Sequence, residues 1–244
     1  MEALHGVGVA MVTPFDKDHN LDMNALEKLT EHLINHGADY LVVQGTTGES
    51  ATLTAEEKTR VLNKVKEVND SRLPLVLGIG GNNTAAVVKE IESRDLHGIT
   101  AILSASPYYN KPTQEGIYRH YEALARASDL PIILYNVPGR TASNISARTS
   151  LRLANDFDNI IGIKEASADM DQVMEIIKHK PNDFLMISGE DGLTFPIIAC
   201  GGVGVDLGGR RVFKRKISRM VALTKEGKLE EARTINYRLM DCIS

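Results

Sequence analysis

Ile160-Ile161-Gly162-Ile163-Lys164-Glu165-Ala166-Ser167 is an apolar run that ends on a lysine. Its leading residues do not alternate with polar ones, the pattern of a strand covered on both faces, as in a parallel sheet wrapped by helices. Burial penalises a charged lysine, so Lys164 at the end of such a strand either meets an acid or is kept as an amine for chemistry. Neighbouring side chains on a strand point to opposite faces, which makes Glu165 a poor partner. Seven more runs of this kind flank it: GVGVAMV (6–12), ADYLVVQG (38–45), LPLVLGIG (73–80), ITAILSASP (99–107), LPIILYNVP (130–138), FLMISGED (184–191) and VGVDLGG (203–209).

Amphipathic segments separate these runs. Asn24 to His36 sets Leu26, Leu29 and Leu33 on one face and stops at Gly37. Thr54-Ala55-Glu56-Glu57 is a capping box that opens a helix carrying Val61, Leu62, Val65 and Val68. Further helices are predicted over Ala85 to Asp95, Gln114 to Ser128, Ala147 to Asn155, Met170 to Lys180, Val212 to Glu226 and Arg233 to Asp241. Strand follows strand at about 30 residues, the size of a βαβ unit, and eight units fill the chain. A (β/α)8 barrel (residues 1–227) followed by the start of a C-terminal helical region (228–244) accounts for this order. An open doubly wound sheet is the competitor, but no GxGxxG follows the first strand, where GVGVAMV is itself the strand.

Composition narrows the function. The chain has 244 residues, 43% hydrophobic and 25% charged, and no apolar run approaches the roughly 20 residues that cross a bilayer. The start has no basic segment ahead of its apolar run, so it reads as a strand and a cytoplasmic location is expected. A formal net charge of −4 argues against a nucleic-acid or membrane surface. The basic cluster Arg210, Arg211, Lys214, Arg215 and Lys216 reads as the solvated start of a helix. Cys200 and Cys242 lack metal-ligand or framework spacing, and a buried inert thiol is expected at Cys200. The scattered histidines form no ligand set, so neither a metal nor a cofactor is expected.

In a (β/α)8 barrel the chemistry sits at the C-terminal ends of the strands. Those ends are polar here: GTTGES (45–50), SPYYNKP (106–112), YNVPGRT (135–141) and KEAS (164–167). A desolvated Lys164 can supply a neutral amine that attacks a ketone to give a Schiff base. The phenol of Tyr135 can pass protons during the dehydration steps, or simply pack in the core. Thr46 and Thr47, set between glycines, offer hydroxyls and backbone N–H groups to a small carboxylate. Arg140 can clamp a second carboxylate in a bidentate fork. Tyr108 and Tyr109 offer a relay hydroxyl or a subunit contact. Together these groups suit an α-keto acid condensing with another acidic carbonyl compound.

In this order GTTGES, SPYYNKP, YNVPGRT, IGIKEAS and SGED resemble the dihydrodipicolinate synthases (4-hydroxy-tetrahydrodipicolinate synthases), class I pyruvate-dependent aldolases, from about Gly6 to Val205. The resemblance implies that pyruvate forms a Schiff base with Lys164 and that the enamine attacks aspartate 4-semialdehyde, at the start of the diaminopimelate and lysine pathway. It further implies Tyr135 as proton shuttle and Thr47 and Tyr109 as the rest of the relay, with Tyr109 reaching in from a neighbouring subunit of a homodimer or homotetramer. Thr46 with Thr47 would hold the pyruvate carboxylate, and Arg140 that of the semialdehyde. N-acetylneuraminate lyases share the lysine and tyrosine, but resemble GSTGE in the first motif and lack the arginine after YNVP.

Two departures from the family pattern stand out. The resemblance leads to a strand similar to ISVASN after GVGV, where this sequence has Asp206-Leu207-Gly208-Gly209-Arg210-Arg211. Asp206 occupies the position whose backbone carbonyl lines the pyruvate site. An inward carboxylate there would repel pyruvate and favour charged Lys164, so a catalytically weak barrel serving as a binding or assembly subunit is the alternative. The family's further C-terminal helices are also missing, from which lower stability and altered assembly are expected. At positions matching the family's lysine-feedback site stand Ala51, Ala55, Lys58, Asn82, Ala86 and Tyr108, and weak or no inhibition by lysine is expected.

Overall fold

The computed structural model describes residues 2–208 and 214–240. Eight strands close a parallel barrel in sequence order: β1 (Gly6–Ala10), β2 (Tyr40–Val43), β3 (Leu75–Gly78), β4 (Ala101–Ala105), β5 (Ile132–Asn136), β6 (Ile160–Glu165), β7 (Leu185–Ser188) and β8 (Gly204–Leu207). β8 returns to β1 with Gly8 opposite Asp206, so the ring has no open edge. This is the (β/α)8, or TIM, barrel the strand spacing predicts.

The helices are α1 (Met23–Asn35), α2 (Ala55–Asn69), α3 (Thr84–Ser93), α4 (Gln114–Ala127), α5 (Pro138–Thr141), α6 (Ala147–Asp156), α7 (Met170–His179), α8 (Thr194–Ala199), α9 (Lys214–Lys225) and α10 (Leu229–Met240). Six of them begin where a side chain accepts a hydrogen bond from an otherwise orphaned N–H: Asp22, Thr54, Asn83, Thr113, Ser146 and Asp169. Thr54 and Glu57 complete the expected capping box. Predicted and observed helix limits differ by at most two residues, except that α10 starts at Leu229 rather than Arg233. Val212 and Phe213, the predicted start of α9, lie outside the described residues, as do Arg210, Arg211, Cys242 and the predicted helix end at Asp241. Cys200 is exposed rather than buried, because it stands in the turn that ends α8, outside the strand-to-helix core.

Alternation along each strand divides the apolar side chains into two clusters. Val7, Val9, Leu41, Val43, Leu77, Ile102, Leu134, Ile163, Met186, Val205 and Leu207 face the helices. Tyr40, Val42, Val76, Leu103, Ile133, Tyr135, Leu185 and Ile187 fill the barrel. The inward positions of β1 and β8 hold Gly6, Gly8 and Gly204 around Asp206, and a Cβ on Gly8 would fall 2.2 Å from the Tyr40 ring. Glycine at position 8 is what lets that phenol lie across β1 toward β8.

Candidate active site

Lys164 sits in the last turn of the sheet at the C-terminal end of β6, paired in register with Tyr135 on one side and Ile187 on the other. Its side chain points into the barrel, while Glu165 points outward. There Asn136 and Gln172 donate to the Glu165 carboxylate and the Ser167 N–H caps it at 2.8 Å. Burial raises the pKa of Glu165 against the pull of those donors. Asn136 also accepts from Ile145 N and donates to Asn144, so the strand end that carries Lys164 is tied to the next two connections.

The lysine does meet an acid. Lys164 Nζ donates to Asp206 Oδ2 at 2.5 Å, with the two side chains 5% and 3% exposed. Burial alone would pull the pKa of Lys164 down, but the Asp206 carboxylate, helped by Tyr135 and Asp191, outweighs it and holds the ammonium above the ordinary lysine value. The carboxylate of Asp206 thus faces the lysine, the inward case that the sequence left open. The other oxygen, Oδ1, is buried with no hydrogen-bond partner among the described residues, as is the Tyr40 hydroxyl.

Above the pair lies Tyr135, whose ring centroid is 4.6 Å from Lys164 Nζ and whose hydroxyl is 3.4 Å from Thr46 Oγ1. Tyr135 and Thr46 open onto a cleft of about 430 Å³ that is also lined by Gly45, Lys58, Tyr108 and Arg140. The cleft thus holds a phenol and a hydroxyl at its floor and a guanidinium at its wall, with the amine directly beneath.

The threonine loop is fixed from below. Thr13 Oγ1 donates to Gly48 O at 2.7 Å, Arg94 donates to Gln44 Oε1, and Gln44 Nε2 donates to Lys58 O. Glu49 adopts φ 53° between two short 3-10 turns, which folds the loop back over the barrel mouth. Thr47 lies on the β8 side of the cleft, its Oγ1 3.8 Å from the position a Cβ on Gly208 would take. Arg140 is on α5, a single helical turn that Pro138 starts directly after β5.

Of the predicted site residues, Lys164, Tyr135, Thr46 and Asp206 stand together, Arg140 faces them across the cleft, and Thr47 flanks them. Tyr109 does not join them. It is 88% exposed, with φ +73°, and turns away from the cleft that its neighbour Tyr108 lines. The residues not foreseen are Glu165, Asn136, Asn144 and Gln172, whose contacts hold the end of β6. The polar ends YN and KE mark two of these, but their pairing across neighbouring strands is non-local.

The model of the dihydrodipicolinate synthetase family matches residues 3–244. The 4-hydroxy-tetrahydrodipicolinate synthase of Flavobacterium psychrophilum is 53% identical over 243 residues, covering 100% of this chain and 83% of the relative. That of Parabacteroides distasonis is 50% identical, covering 99% and 81%. Among solved structures, the dihydrodipicolinate synthase of Aquifex aeolicus superimposes with a TM-score of 0.93 at 38% identity, over 98% of this chain and 81% of that one. The synthase of Acinetobacter baumannii complexed with pyruvate gives 0.93 at 37% identity, over 98% and 82%.

Proposed function

The chain belongs to the dihydrodipicolinate synthetase family, and we propose that Lys164 is the amine on which its reaction runs. The enzyme is a Schiff-base-forming lyase that condenses pyruvate with aspartate 4-semialdehyde to 4-hydroxy-tetrahydrodipicolinate, in lysine and diaminopimelate biosynthesis. Lys164 attacks the keto carbon of pyruvate, water leaves, and the iminium loses a methyl proton to give the enamine that adds to the aldehyde. Tyr135 carries protons above the amine, and its contact with Thr46 links that phenol to the group that receives the pyruvate carboxylate. Thr47 supplies the second hydroxyl of that cradle, and Arg140 receives the carboxylate of the semialdehyde. Tyr109 acts on the cleft of a neighbouring subunit in a homodimer or larger assembly. The described residues include no helix long and apolar enough to cross a membrane; the family of biosynthetic enzymes to which the chain belongs supports a cytoplasmic location.

The observation that carries this assignment is the lysine buried at a strand end directly under a cleft that also holds a phenol, a threonine and an arginine. The arginine favours the synthase over a sugar-acid lyase, since a guanidinium lining the same cleft suits a second substrate carboxylate. The test is a comparison of two assays on one preparation. Turnover of pyruvate with aspartate semialdehyde is expected, with no cleavage of N-acetylneuraminate; cleavage alone would reverse the assignment.

A further inference from the structure

A buried carboxylate in contact with the reacting nitrogen has no place in the steps above, and it is well defined. Nζ of Lys164 has Asp206 Oδ2 as its one hydrogen-bond partner among the described residues. The small space beneath the pair is lined by Val42, Val76, Leu103, Ile133, Ile187 and Tyr40, so apart from that phenol the surroundings offer the nitrogen no other base from below. The second oxygen of Asp206 is buried and unpartnered, with the Tyr40 hydroxyl, also unpartnered, in the slot that Gly8 opens beside it. A carboxylate kept only as a counterion is stabilised when both oxygens are satisfied; one left half-satisfied beside a reacting group has spare capacity to accept a proton.

We propose that Asp206 is a catalytic residue of this enzyme, carrying the proton that Lys164 must lose to attack pyruvate and returning it to the oxygen that leaves as water. This rests on Lys164 being the nucleophile. The ammonium passes a proton from Nζ to Oδ2. The neutral amine adds to the keto carbon, the C–O π pair takes a proton through Tyr135, and the nitrogen of the adduct gives its extra proton back to that phenol, leaving a neutral carbinolamine. Protonated Asp206 then delivers its proton to the carbinolamine oxygen, the C–O bond breaks, and water departs while the nitrogen lone pair forms the C=N bond. The ammonium has become an iminium, Asp206 is again a carboxylate beside a cation, and the net charge of the site is unchanged throughout. That constancy removes the objection that an inward carboxylate would repel pyruvate: the substrate meets a neutral pair. The other titratable groups facing the nitrogen are Tyr135 from β5 and Asp191 from the connection after β7, and Tyr40 from β2 faces Asp206.

The test is the rate at which cyanoborohydride traps the pyruvate adduct on the intact enzyme, read by mass from pH 6 to 10. Asp206→Asn, close in shape, is expected to trap about 100-fold more slowly near neutrality, with a rate that climbs with pH where the wild type is nearly level. Asp206→Ala is expected to be similarly slow and to regain rate when formate is added, a recovery that a merely structural role would not give. Trapping by Asp206→Asn as fast as or faster than the wild type would overturn the proposal, showing that the carboxylate only holds the lysine charged. So would a slow variant with an unchanged pH profile and no formate rescue. An adduct in a variant but none in the wild type would sink the carrier while keeping Lys164 as nucleophile; no adduct in any protein would remove both.

Discussion

Lys164 and Asp206, 42 positions apart in sequence, face each other from β6 and β8, and each is buried because the other is there. Breaking such a pair leaves an uncompensated buried charge, typically costing 3–5 kcal/mol, whereas replacing both members by apolar groups of similar volume is often neutral or stabilising. Lys164→Met alone is therefore expected to lower the unfolding free energy by about 3–5 kcal/mol, and the double variant with Asp206→Val to recover most of it. Urea unfolding of the three proteins measures this; a double variant as unstable as the single would show the two groups to be uncoupled. The sequence left the aim of Asp206 open, and the packing of β8 decides it. With Val205 and Leu207 on the helix side, period-two alternation places Gly204 and Asp206 inside. Burial of Lys164 left an ion pair and a reactive amine as alternatives, with Asp206 a partner only if it aimed inward; Glu165 is adjacent in sequence yet opposite in direction, and only barrel closure brings β8 near.

At the scale of elements, the strands set the loops. A Cβ on Gly78 of β3 would fall 2.2 Å from Gln44 O, in the backbone that leads into Gly45 and the two threonines. Gly78→Ala is expected to push that loop, costing about 1–3 kcal/mol of stability and lowering turnover, since Gly78 also lines the cleft. Unchanged steady-state kinetics would show the threonine loop to be indifferent to β3. On the outer side of the same loop, Ala55, Ala86, Lys58 and Lys89 line a surface pocket with Arg94, whose guanidinium already binds Glu90. A second ammonium finds cations and a committed carboxylate there, so feedback by lysine is expected to be weak; half-inhibition at submillimolar lysine would contradict this. All eight strands and the long helices were readable from apolar runs and caps. The short helices α5 and α8 were not, since four and six residues span too few turns for periodicity to show.

For the whole molecule, closure of the ring is what makes a site of scattered residues, since Asp206 reaches Lys164 only when β8 completes the barrel between β7 and β1. Tyr109 lies outside this logic: 88% exposed and off the cleft, it contributes to the reaction only if a second copy receives it. Specific activity is then expected to fall on dilution into the monomer range, followed by sedimentation, and Tyr109→Phe to slow turnover without altering the fold. Activity that is constant on dilution would assign the relay to one subunit. Incubating the protein with pyruvate and borohydride and locating the adduct by peptide mass tests Lys164 as the nucleophile most directly. One reduced pyruvate adduct on Lys164 is expected, abolished in Lys164→Ala. An unmodified Lys164, or an adduct on a different lysine, would contradict it.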